Sequence, residues 1–192
     1  MRGRLLVASP GLVDPNFART VVLVLEHGDD GALGVTLNRP STLAVADALP
    51  EWAGAVDPPA QVFAGGPVGD GAVIGLAWTP SGAPGSGADR PGDLPDPGGR
   101  VPLFGGLATI DLSRPPASFA ALDGVRVFGG YAGWAPGQLD GEVEAGGWFV
   151  VDADIPGDVL TPDAEHLWRR VLRRQEGRLA VFAHFPDDPS AN

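Results

Sequence analysis

Apolar positions along this chain gather in short runs, and the residues between them carry turn chemistry. "VVLVLE" (21–26) is apolar at both alternating parities and partly β-branched, the pattern of a strand covered on both faces and central in its sheet. "GDDG" (28–31) then supplies a turn, and "ALGVTLN" (32–38) resumes the apolar pattern, which predicts a hairpin. Placing Glu26 or His27 opposite Ala32 brings Val21 near Asn38. The same reading predicts strands at 4–8, 61–64, 72–78, 101–110, 125–129, 147–151 and 179–185.

Helical periodicity is rarer. Ser41 and Thr42 cap a predicted helix that ends near Pro50, and "AP" precedes a short one at 136–145. The clearest helix is predicted from 162. Thr161 suits its N-cap, Pro162 its first position, and Asp163 and Glu165 its first turn. Ala164, Leu167, Trp168, Val171 and Leu172 form one apolar stripe. Arg169, Arg170, Arg173 and Arg174 occupy the last turns, where cations complement the helix dipole, and read as a solvated face, with Gly177 just past the helix end. Strands and helices do not alternate regularly, and no repeat is visible. The class is therefore α+β, with a mixed, largely antiparallel sheet.

Composition narrows this picture. With 192 residues, 44% hydrophobic and 19% charged, the chain can bury a sizeable core and is too apolar for general disorder, so residues 1–192 are expected to form a single domain. Glycine and proline concentrate in "TPSGAPGSGADRPGDLPDPGG" (79–99), which reads as a flexible surface loop. The absence of cysteine excludes disulfides, zinc–thiolate sites, iron–sulfur clusters and thiol nucleophiles. All 13 basic residues are arginine, so lysine Schiff-base chemistry is excluded too. A net charge of −11 repels phosphate backbones and disfavours general nucleic-acid binding. "MRGRLLVASP" holds too short an apolar run for a signal-peptide core or a membrane span; a cytoplasmic protein without membrane association is expected.

The chemistry-bearing residues fall into clusters. "DPNFARTVVLVLEH" (14–27) holds an aspartate and a histidine in one stretch, but seven residues separate Thr20 from His27, roughly 23 Å at the strand rise. They belong to opposite hairpin ends. Strand alternation also points Glu26 and His27 to opposite faces unless a bulge intervenes. Glu26, His27, Asp29 and Asp30 match no recognisable metal-ligand spacing, and neither a metal nor a cofactor is expected. At the other end, Asp14 and Pro15 suit a tight turn or a single helical turn, and the hairpin brings Arg19 and Thr20 close to Asn38 and Arg39. Two arginines, an amide and a hydroxyl suit an anion; alternatively Asp14 pairs with Arg19 or Arg39 and ties the turn to the sheet. Gly65 and Gly66 offer either an anion-binding nest or a close strand crossing. Tyr131, Trp134 and Gln138, just before an acidic helix carrying Asp140, Glu142 and Glu144, suit a pocket wall or core anchors. Ser9, Ser41, Ser113 and Ser118 lie in no nucleophile-elbow sequence.

"LLVASPGLVDPNFARTVVLVLEHGDDGALGVTLNRP" (5–40), "VFAGGPV" (62–68) and "GGYAGWAPGQLDGEV" (129–143) resemble, in that order, the hallmark blocks of the YqgE/AlgH family of bacterial proteins. Two features depart from the family pattern: residues 79–99 look like an insertion, and Asp140 stands where glutamate is expected after "GQL". The resemblance implies a curved sheet approaching a barrel, flanked by a few helices. It implies no reaction, and for some members a label of transcriptional regulator, which fits poorly with −11 and no helix-turn-helix. It marks Arg19, Thr20, Asn38, Arg39, Gly65, Gly66, Tyr131, Trp134 and Gln138 as the place for a shared function.

The leading expectation is a non-catalytic domain that binds a small anionic ligand or a protein partner around Arg19, Asn38 and Arg39. One alternative is a hydrolase or metal-dependent enzyme using His27 with Asp29 or Asp30, or Asp14 with a bound water. Another is a regulator contacting nucleic acid through Arg169 to Arg174.

Overall fold

A computed structural model describes residues 1–80, 99–119 and 122–186. Ten strands are β1 (Arg4–Ala8), β2 (Val21–Gly28), β3 (Gly31–Thr36), β4 (Pro40–Ala44), β5 (Gln61–Ala64), β6 (Val68–Trp78), β7 (Arg100–Pro102), β8 (Leu107–Ile110), β9 (Gly124–Trp134) and β10 (Trp148–Asp152). They join in the order β10-β1-β2-β3-β9-β6-β8-β7, and β4 attaches through β5 to β9. Among the described residues only the β5–β9 pairing is parallel. The sheet curls into a half-barrel, and long β9 carries the curl, pairing with β6 along most of its length and with β3 near its end. The fold is therefore the mixed, mainly antiparallel α+β architecture expected.

Among the described residues four short α-helices flank the sheet: α1 (Val45–Ala48), α2 (Gln138–Glu144), α3 (Leu167–Arg173) and α4 (Arg178–Phe182). The alternation of β1 and β2 explains where they pack. Leu5, Val7, Val21 and Leu23 join Phe63, Leu76 and Phe128 inside the curl, where Leu167, Trp168, Val171 and Leu172 of α3 close the core. Leu6, Ala8, Val22 and Val24 face outward and are covered by Leu139 of α2 with Trp134 and Trp148. Both faces of β2 are thus buried, which is why its first five residues are all apolar. A third cluster, Val45, Trp52, Ala77, Val125 and Val127, seals the outer face of β6 and β9. Among the described residues no helix is long and apolar enough to cross a membrane.

Several elements differ from expectation. The predicted 101–110 strand is two strands, β7 and β8, folded back on each other. Residues 41–44 continue as strand β4 before the short α1, with the Ser41 hydroxyl accepting from the Leu43 amide rather than capping a long helix. The helix predicted from 162 begins at Leu167, because the Thr161 hydroxyl accepts from the Asp163 amide in a local turn. The predicted 179–185 strand is helix α4, and Gly177 sits at its N-cap rather than at the end of α3. The Pro/Gly-rich stretch lies almost wholly outside the described residues.

Candidate functional site

The hairpin register places the two chemical clusters at opposite ends. His27 faces Ala32 at the closed end, while at the open end the Asn38 Oδ1 accepts from the Val21 amide at 2.8 Å. Asn38 also donates through Nδ2 to the Arg19 carbonyl at 2.9 Å, so one amide side chain, 9% exposed, clamps the start of β2.

That clamp organises the strand end. Asp14 starts a single helical turn: its Oδ1 accepts from Asn16 and its carbonyl from Phe17 and Ala18. The Thr20 hydroxyl donates to the Phe17 carbonyl at 2.7 Å. Arg39 Nη2 donates to the carbonyls of Ala18 at 2.9 Å and Pro15 at 3.3 Å. Arg39 therefore ties the turn to the sheet through main-chain oxygens, not through the Asp14 carboxylate. Arg19 leaves in the opposite direction: its guanidinium lies 4.7 Å from the Trp168 ring centroid and donates to the Pro186 carbonyl. Its φ of 58° is the only positive value at a non-glycine residue among those described.

Gly65 and Gly66 sit where β5 crosses β9. A Cβ on Gly65 would stand 2.3 Å from the Gly130 carbonyl oxygen, and one on Gly66 2.2 Å from the Tyr131 carbonyl carbon. The Gly65 amide donates to Gly129 and its carbonyl accepts from Thr36, so the close crossing accounts for the glycine. Tyr131 and Trp134 lie within β9, which extends past the predicted 125–129 strand. The indoles of Trp134 and Trp148 both donate to Glu142 Oε2, at 3.0 and 2.8 Å, and Gln138 donates to Glu142 Oε1 at 2.9 Å. Phe17 stacks on Trp134 and meets Trp148 edge-on, which carries this cluster back to the strand-end turn. Arg19, Thr20, Asn38 and Arg39 thus form one group, linked through Phe17 to Trp134 and Gln138. Glu142 is the organising residue that a residue-by-residue reading passes over; its i,i+4 spacing from Gln138 is the available signal.

At the closed end, a cleft of about 330 Å³ is lined by Arg2, Glu26, His27, Asp30 and the Val101–Leu103 segment. Glu26 and His27 both border it, although their regular pairing with Leu33 and Ala32 keeps their side chains on alternate faces of β2; the bulge lies before them, between Val24 and Glu26. His27 Nδ1 lies 3.1 Å from the Met1 amine and Nε2 3.4 Å from Asp140 Oδ1. Among the described residues no group of three or more histidine or carboxylate side chains is arranged to hold a metal ion.

Of the four arginines read as a solvated face, Arg173 is exposed, but Arg169, Arg170 and Arg174 are engaged within the fold. Arg174 pairs with Asp158 through both nitrogens, Arg170 donates to the Thr161 hydroxyl at 2.6 Å, and Arg169 donates to the Ala183 carbonyl at 2.7 Å. A further arginine, Arg126 on β9, is 2% exposed. It donates to the carbonyls of Thr161 and Pro58 and lies 4.4 Å from the Phe63 ring centroid. Burial pulls its pKa down to about 10, against the attraction of Asp57.

The curled half-barrel sheet is an architecture already represented among solved structures. Residues 5–180 match the family model described as AlgH-like, and the chain belongs to that family. A UPF0301 protein of Streptomyces coelicolor is 49% identical over 193 residues, covering 100% of this chain and 95% of the relative. One from Mycobacterium marinum is 43% identical over 194 residues, covering 99% and 90%. A crystal structure of a Corynebacterium diphtheriae protein aligns with TM-score 0.83 at 34% identity over 96% of this chain and 92% of that one. The solution structure of Pseudomonas aeruginosa AlgH aligns with TM-score 0.64 at 28% identity, covering 97% and 94%.

Proposed function

We propose that this chain is a non-catalytic binding domain whose strand-end surface takes a small anionic ligand or an anionic group presented by a protein partner. The observation that supports the reading is the state of Arg39. Its Nη2 is fixed by the Pro15 and Ala18 carbonyls, while its Nε and Nη1 make no hydrogen bond among the described residues. A guanidinium held by one nitrogen and open along the others is pre-organised for a carboxylate or phosphate, because its ordering cost is already met within the fold. Thr20 and Asn38 contribute by holding the turn that orients it. A panel of phosphate, sulfate and polycarboxylates in thermal-shift measurements should give at least one stabilising anion whose effect disappears in Arg39→Ala. Equal stabilisation of both proteins removes Arg39 from the site.

A second reading, a hydrolase centred on His27, draws on the cleft that Glu26, His27 and Asp30 share. Turnover of ester or phosphoester substrates that is abolished in His27→Ala would favour it over the binding domain. Nucleic-acid binding through α3 is not proposed, since Arg169, Arg170 and Arg174 are already committed to internal partners.

A further inference from the structure

The cleft at the closed end of the hairpin holds charges of opposite sign that do not neutralise one another. Arg2 is anchored there by two main-chain oxygens: Nε donates to Leu25 at 3.2 Å and Nη2 to Leu103 at 2.8 Å, and the guanidinium lies 5.5 Å from the Phe104 ring centroid. Its Nη1 has no partner among the described residues. Glu26 and Asp30 line the same cleft, and among the described residues neither makes an ion pair or a side-chain hydrogen bond. A smaller cleft of about 170 Å³ shares Glu26, Asp30 and Gly31 and ends on Trp134 and Leu33.

Opposite charges in one cleft usually collapse onto each other when their side chains can reach. Here the two carbonyl anchors hold the guanidinium in place, so cation and carboxylates stay apart with space between them. Val101, Pro102 and Leu103 supply an apolar wall beside them. The volume stands at the lower end of small-molecule sites, which run from about 300 to 1,000 Å³. A ligand that satisfies every part carries an ammonium group for Glu26 and Asp30, a carboxylate for the open edge of Arg2 and a short aliphatic body for the wall.

We infer that this cleft binds a small zwitterion of the aliphatic α-amino-acid class. The site is independent of the Arg39 surface, which lies at the other end of β2, roughly 20 Å away at the strand rise. Titration calorimetry of the full chain with L-leucine, L-valine and L-proline tests it. N-acetyl-L-leucine lacks the ammonium charge and L-leucinamide lacks the carboxylate.

At least one of the three amino acids should give a saturable heat at millimolar concentration. Each masked analogue should bind about tenfold more weakly than leucine, or worse, since each loses a charge-assisted hydrogen bond. Glu26→Gln combined with Asp30→Asn should lose binding while circular dichroism stays unchanged, because both side chains are exposed and carry no structural partner. Three results overturn the inference: no saturable heat from any of the amino acids, leucinamide binding as well as leucine, or the double variant binding as the parent does.

Discussion

Arg174 closes a bidentate ion pair on Asp158, at 2.6 and 2.5 Å, although the Asp158 side chain is only 1% exposed. Asp158 Oδ2 also accepts from the Asp154 amide, and Arg174 further donates to the Asp152 carbonyl. The pair therefore fastens the 153–161 segment to α3 and to the end of β10. Arg174→Ala would leave a buried carboxylate with only Arg170, 3.8 Å away, to offset it. The expected cost is about 3 kcal/mol, a Tm fall of about 6–12 °C for a chain of this size. Chemical denaturation of Arg174→Ala and Arg174→Lys checks it, with lysine recovering part of the loss because it carries the charge without the planar fork.

Arg126 links stability to alkaline pH. Burial holds its pKa at about 10 in the folded chain, well below the ordinary guanidinium value, so between the two the unfolded chain binds the proton more tightly. Stability contributed by this group therefore rises as pH climbs past 10. Arg126→Met should cost about 2 kcal/mol near neutrality, because the Pro58 and Thr161 carbonyls lose their donor. Measured by urea unfolding from about pH 9 to about pH 11, the parent should gain further on the variant.

Arg19 pays for its position with backbone strain. In the left-handed region at φ 58°, a side chain with a Cβ is less favourable than glycine by about 1 kcal/mol. Arg19→Gly should therefore be more stable than Arg19→Ala by that amount, since both lose the Trp168 stacking equally. Equal stabilities would show that Asn38 relieves the strain.

Glu142 holds two indoles with one oxygen. Glu142→Ala should destabilise by about 2 kcal/mol through the orphaned donors. It should also shift two indole N–H signals, those of Trp134 and Trp148, in a nitrogen-correlated spectrum while leaving that of Trp52, which donates to Leu112, in place.

Local patterning carried a good part of this architecture. The all-apolar VVLVL run required burial on two sides, and the loop chemistry of 28–31 set a register that brings His27 to Ala32 and Asn38 to Val21. What could not be read depends on tertiary context. LAVF at 179–182 is too short for its period to separate strand from helix, and α4 forms because Phe182 stacks on Phe149 of β10. The α3 arginines resemble a solvated face until Asp158, a dozen or more residues upstream, is seen to be buried beneath them. The bulge before Glu26 leaves no mark in the sequence, and neither does the approach of Val101–Leu103 that turns this hairpin end into a cleft. At the strand end, the residue types were legible, but not that main-chain carbonyls, rather than Asp14, hold Arg39.

The most direct test of the binding-domain account is an amide-resolved NMR titration of the full chain with inorganic phosphate, run in parallel on Arg39→Ala. The account predicts saturable shifts clustered at Ala18, Arg39 and Ala64, whose amide donates to the Arg39 carbonyl, in the parent and their loss in the variant. Shifts that persist unchanged in Arg39→Ala, or a strand end that does not respond to any anion, would contradict it.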